Sequence, residues 1–102
     1  MTGNELFRRM KAKEIGVILE SREDAEQLAV LLQGILHADE LVEWYDHRNA
    51  RVIVSSNDGY ERLLFANTTL RPELPNYCRE CVPLSALIRQ NQINISSLDD
   101  FV

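Results

Sequence analysis

Residues 21–37 read SREDAEQLAVLLQGILH, and this stretch decides the fold. Its apolar residues recur at three- and four-residue intervals, the spacing of an α-helix with one buried face. They are Ala25, Leu28, Ala29, Leu32, Ile35 and Leu36. Ser21 is a suitable N-cap, because its hydroxyl can accept a hydrogen bond from an amide of the first turn. The sequence therefore predicts one long amphipathic helix, with Gly34 as an alternative, earlier end, since an interior glycine costs about 1 kcal/mol relative to alanine.

Four other segments have the β-branched, apolar or aromatic composition of strands. They are residues 14–20, 41–46, 51–56 and 60–66. The first is apolar on both faces, which is typical of a central strand. Asn57, Asp58 and Gly59 indicate a tight hairpin turn before the last segment, because Asp-Gly accommodates positive φ. We expect residues 41–66 to form a three-stranded antiparallel meander, and the first strand, the helix and the second strand to form a right-handed βαβ crossover.

The ends of the chain flank this unit. Residues 1–13 contain a short basic amphipathic helix, with Leu6, Phe7 and Met10 on one side. Residues 67–82 are proline-containing and predict a loop, after which Pro83 opens a second helix over 83–90. Ile93 and Ile95 favour a short extra strand, and residues 96–102 form an acidic tail that we expect to be frayed or docked. The prediction is a single α+β domain of 102 residues, with a four-stranded mixed sheet in the order β-α-β-β-β-α.

The formal net charge of −5 excludes some classes of partner. Nonspecific binding to nucleic acid or to an anionic membrane needs a cationic surface. Residues 1–13 carry a net charge of +3, which leaves −8 on the remainder. An acidic body suits a basic protein partner, although the same charge also keeps a small protein soluble.

The sequence also indicates where the protein works. No apolar run approaches the roughly 20 residues needed to span a bilayer, and no secretory signal is visible. Two cysteines are too few for a secreted disulfide framework. We therefore expect a cytoplasmic protein that does not engage membranes.

Cys78 and Cys81 form a Cys-x-x-Cys pair, which can supply half of a tetrahedral zinc site. The two histidines, His37 and His47, do not have the spacing of a second half-site, although two chains could supply four thiolates across a dimer. Two ordinary reduced thiols are the favoured interpretation, and a redox pair is a further alternative. We therefore expect no cofactor, with zinc at this pair as the alternative.

The candidate partner-binding residues are aromatic and charged. Trp44 and Tyr45 adjoin on the predicted second strand, so we expect one in the core and the other exposed, in a patch with Tyr60. A partly covered cross-strand pair is the alternative. Further candidates are Glu43 and Asp46 on the same segment, and Arg8 and Arg9 on the first helix, which could contact a partner or dock on their own domain.

No phosphate-binding loop, nucleophile elbow or helical zinc-protease motif is present, so we expect a protein that is not an enzyme. The sequence favours a small acidic protein-binding module that occupies a partner's basic surface. An inhibitor, immunity or adaptor protein, encoded by a phage or mobile element, has these features. The alternatives are a small protein stabilised by zinc at Cys78 and Cys81, a self-assembling subunit or homodimer, and an enzyme that uses Cys78 or a histidine–carboxylate pair.

Overall fold

A computed structural model describes residues 2–56 and 61–89. These residues form the helices α1 (Gly3–Lys11), α2 (Arg22–Leu31), α3 (Leu41–His47) and α4 (Leu84–Arg89) and the strands β1 (Ile15–Ile18), β2 (Val52–Ser55), β3 (Leu63–Ala66) and β4 (Glu80–Pro83). Short 3-10 helices occupy Ala38–Glu40 and Leu74–Asn76. The predicted α+β class with a four-stranded mixed sheet is confirmed.

The strand order in the sheet is β3-β2-β1-β4. β1 is antiparallel to β2 and parallel to β4, and β2 is antiparallel to β3. Val17 therefore lies between Ile53 and Val82 in the register. This order confirms the central position predicted for the first strand. The physical reason is that a strand without polar side chains can be covered on both faces.

Helix α2 begins as its sequence predicts and ends earlier. The Ser21 hydroxyl accepts a hydrogen bond from the amide of Asp24, and the Asp24 carboxylate accepts one from the amide of Glu20. The helix stops at Leu31, and the chain then turns through Gly34 at a φ of 95°. The prediction of one long helix through residue 37 is therefore wrong, and the alternative end near the glycine is close to what occurs.

Residues 41–46 form most of helix α3 and no strand. Leu41, Trp44 and Tyr45 are spaced as on one helical face, and that spacing outweighs the β-propensity of the aromatic residues. Leu41 is fully buried in the same core as α2. The predicted meander and the predicted βαβ crossover are both wrong, since β1 and β2 are antiparallel and are joined through α2 and α3.

The fourth strand lies in the segment predicted to be a loop. Residues 80–83 pair in parallel with β1, and helix α4 begins after Pro83, at Leu84. Several predicted features lie outside the described residues: the turn at residues 57–59, Tyr60, Ile93, Ile95 and the tail 96–102. Over the described ranges, no helix is long and apolar enough to cross a bilayer.

Candidate protein-binding surface

Acidic residues are concentrated on the segment that forms α2 and α3. Residues 20–47 contain eight of the sixteen Asp and Glu residues and a single arginine, which gives them a formal charge of −7. The rest of the chain then carries +2. The acidity of this protein is therefore concentrated on residues 20–47, which comprise the two helices and their connection and which we call the acidic helix pair.

Arg22 links the two helices of the acidic helix pair through its side chain. Its Nε lies 3.0 Å from Oδ2 of Asp46, and its Nη1 forms an ion pair with Glu26. The hydrogen bond to Asp46 is the main reason that the pKa of Arg22 is raised. Arg22 begins α2 and Asp46 lies near the end of α3, so this contact joins the start of one helix to the end of the other.

Three carboxylates of the acidic helix pair remain available for contact with another molecule. Glu23, Asp39 and Glu43 are exposed, and none forms an ion pair with another described residue. The predicted candidate Glu43 is therefore accessible with its charge uncompensated. The predicted candidate Asp46 is exposed as well, but it is committed to Arg22.

The two predicted aromatic candidates lie side by side on α3. Trp44 is half-buried, with its ring centroid 5.1 Å from that of Phe65 and 5.5 Å from that of His37. Tyr45 is half-buried beneath Arg51, whose guanidinium carbon lies 4.0 Å from the ring centroid. The expectation that these residues point to opposite faces of a sheet is wrong, because the segment is helical. Tyr60, the third candidate, is outside the described residues.

A groove of about 360 Å³ adjoins Trp44. It is lined mainly by apolar and aromatic side chains of α3, β3 and the following loop, and includes Trp44, Leu64, Phe65, Leu74 and Tyr77. Arg71 and Glu73 also line it and are paired at 3.5 Å. Sequence reasoning missed this groove, because its residues come from separate segments and no local pattern links them.

Helix α1 docks on its own domain. Leu6, Phe7 and Met10 are buried in the main core, which confirms the predicted apolar side of this helix. Arg8 is exposed, whereas Nε of Arg9 lies 3.2 Å from a carboxylate oxygen of Glu14. A partner contact through these arginines stays a prediction.

Cys78 and Cys81 are brought together as the sequence suggests. Their Sγ atoms are 3.7 Å apart, with Cys78 buried and Cys81 half-buried. Burial, and secondarily the neighbouring Cys81, raises the pKa of Cys78 to about 11. A thiol with a raised pKa is a poor nucleophile near neutral pH. Within residues 2–56 and 61–89, no group of three or more His, Cys, Asp or Glu side chains is arranged to hold a metal ion.

Comparison of the chain with family models, with curated proteins and with solved structures found no match.

Proposed function

We propose that this chain is an acidic protein-binding module that acts in the cytoplasm without catalysis, as an inhibitor, immunity or adaptor protein. Its acidic helix pair would occupy the basic surface of a partner. The observation that carries the proposal is the charge of −7 on residues 20–47 against +2 elsewhere. A charge spread evenly for solubility would not be concentrated on one segment of the chain.

The arrangement of the helix pair supports this role. A field of one sign on one surface accelerates the encounter with a surface of the opposite sign and disfavours acidic partners. Arg22 links α2 to α3 at 3.0 Å and Leu41 is buried beneath them, so the open carboxylates stand on ordered helices. A preorganised surface loses less conformational entropy when it binds.

The test begins by isolating partners from cells that express the chain naturally and purifying the main one. Its affinity is then measured by calorimetry at low and moderate salt for two triple variants. The first, Glu23→Gln/Asp39→Asn/Glu43→Gln, removes the three open carboxylates of the acidic helix pair. The control, Glu5→Gln/Glu14→Gln/Glu80→Gln, removes the same formal charge elsewhere on the surface, where Glu14 is paired with Arg9.

We expect the first variant to weaken binding by at least about tenfold and to flatten its salt dependence, because the lost carboxylates make the screened contacts. The control should change affinity by less than about threefold, as expected for charges outside an interface. Equal effects of the two variants, or a partner whose binding surface is acidic, would reject the proposal.

A further inference from the structure

The two edges of the sheet are built differently within the described residues. β4 reads ECVP and follows Arg79, so charged side chains and a proline mark that edge. Such residues discourage the pairing of another strand. β3 reads LLFA and carries neither charge nor proline. By these criteria the β3 edge is the more open of the two, although Leu36 already bridges it at Arg62, before the strand begins.

The hydrogen bonds identify which backbone groups of β3 are open. On the inner side, the amide of Ser56 donates to the carbonyl of Arg62 at 2.9 Å. On the outer side, the amide of Leu63 donates to the carbonyl of Leu36 at 3.1 Å. Successive residues of a strand alternate in direction, so the N–H and C=O of Phe65 also point outward. No other described residue hydrogen-bonds to these two groups.

The groove follows this same edge. Val54 and Leu64 belong to the cluster on one face of the sheet, whereas Phe65 packs against the cluster on the other face, and all three line the groove. A cavity lined from both faces must run along the strand edge between them. Open backbone groups beside an apolar groove are what an added strand requires: the backbone gives affinity and the groove selects a side chain.

The charge beside the groove indicates what kind of segment fits. Glu40 is hydrogen-bonded to His37, which lines the groove, and Glu43 precedes Trp44 on α3. The groove is therefore continuous with the acidic helix pair. Arg71 is neutralised by Glu73 on the loop side. A segment with a basic residue near its apolar one complements this surface.

We propose that β3 binds an extended segment of the partner by strand addition, with one aromatic or large aliphatic side chain in the groove and a Lys or Arg two residues later. This inference rests on the proposed function, because it identifies the part of a basic partner that the module would hold. The backbone of the segment pairs with Phe65, its apolar side chain contacts Trp44 on the helical face, and its basic residue faces Glu43.

Trp44 is the only tryptophan of the chain and lines the groove, so its fluorescence reports on occupancy. The probes are heptapeptides acetyl-Thr-Val-Thr-X-Thr-Arg-Thr-amide, where X is Phe, Tyr, Leu, Ile or Ala. We expect saturable fluorescence changes for the large X residues and at least about tenfold weaker binding for Ala. In the labelled protein, the amide resonance of Phe65 should shift on binding.

Two controls isolate the backbone contact. The best peptide is resynthesised with N-methyl groups on the amides that would face β3, which removes hydrogen bonds and keeps the side chains. In the protein, Phe65→Pro removes the outward N–H without touching the inner ladder, and Phe65→Ala is the match that loses the ring and keeps the N–H. Circular dichroism verifies that both variants fold, and the methylated peptide tests the proposal even if one does not.

We expect the methylated peptide, and Phe65→Pro compared with Phe65→Ala, each to lose at least about tenfold in affinity. Equal binding of methylated and unmethylated peptides would show a side-chain pocket only and would reject strand addition. No saturable binding by any peptide would also reject it. These measurements do not use the cellular partner, so loss of that partner on neutralising the acidic helix pair is an independent result.

Discussion

The two faces of the sheet are covered by different kinds of structure. On one face, Ile15, Val17 and Ile53 form a single cluster with buried side chains of all four helices, among them Leu28. On the other face, Val52 and Val54 are covered by a loop that supplies Leu74 and Cys78. The sheet is thus packed against helices on one side and against largely irregular chain on the other.

The difference has a physical origin and a functional consequence. A helix satisfies its own backbone hydrogen bonds and can place a continuous apolar stripe against the sheet. A loop must keep much of its backbone near water, so it buries fewer side chains and leaves space beside them. The groove at β3 lies at the boundary between the two coverings. The helical face should therefore carry most of the stability, and the loop face should carry the adaptable binding surface.

The most direct test of this contrast is a pair of truncations. Leu28 is fully buried on the helical face, and Leu74 is 6% exposed on the loop face. We expect Leu28→Ala to lower the free energy of unfolding by about 3–4 kcal/mol, the range for a leucine in a close-packed core. Leu74→Ala should cost about 1–2 kcal/mol, because it adjoins an existing cavity that can relax. Urea unfolding measures both.

Equal losses for the two variants would show that the loop face is packed as tightly as the helical one. A larger loss for Leu74→Ala would invert the comparison. The slope of the denaturation curve serves as the control, since a change in slope would signal a change in the unfolded state instead of in packing.

The helical face was largely predictable from sequence. The periodic apolar spacing around Leu28 and the N-cap Ser21 are local signals, and they place α2 at its observed start. The two-sided apolar character of residues 15–19 predicts a central strand for the same kind of reason. The sequence does not predict helix α3, because the strand propensity of Trp44 and Tyr45 masks the helical spacing that starts at Leu41.

The loop face was not predictable in this way. β4 is four residues long and ends in proline, so nothing local distinguishes it from a turn. It is a strand because β1 offers it a parallel partner. The groove has the same origin, since Trp44, Phe65 and Tyr77 meet only after the chain is folded. The acidic character of residues 20–47 is visible in the sequence, but only the structure shows that this segment packs as two helices and their connection.

Substitutions at two separate glycines test whether helix α1 is held rigidly against the rest of the helical face. A Cβ at Gly3, the first residue of α1, would lie 1.8 Å from the carbonyl oxygen of Leu31. Backbone atoms cannot move aside cheaply, so α1 must shift in Gly3→Ala, at a cost of about 2 kcal/mol. Gly34 is the control, because a Cβ there meets nothing within 4 Å. Gly34→Ala should cost about 1 kcal/mol, through the left-handed backbone alone.

Thermal unfolding separates the two glycine variants, and hydrogen exchange locates the effect. Exchange should accelerate at the amides of α1 in Gly3→Ala and should stay unchanged there in Gly34→Ala. If Gly3→Ala is as stable as the parent protein, α1 is loosely attached. The basic residues Arg8 and Arg9 would then be better placed for a partner than for this domain.

The smallest expected effect lies on the loop face and depends on pH. Cys78 fills the space above Gly16, where an added Cβ would lie 3.0 Å from its Sγ. Its pKa is raised from 9.0 to about 11, mainly by burial. The folded state therefore holds this proton more tightly than the unfolded state does. The resulting stabilisation is complete below about pH 9 and is lost as pH rises towards 11.

Between pH 8 and pH 10 the free energy of unfolding should fall by about 1 kcal/mol on account of this thiol. Urea unfolding at the two pH values measures the fall, and Cys78→Ala should abolish it even though the variant is less stable at both. Cys81→Ala is the matched control: it removes the minor contribution to the shift and should leave most of the fall in place. If the fall persists in Cys78→Ala, groups other than this thiol cause it. Water would then reach the thiol, and the loop would cover this face of the sheet less tightly than its buried side chains imply.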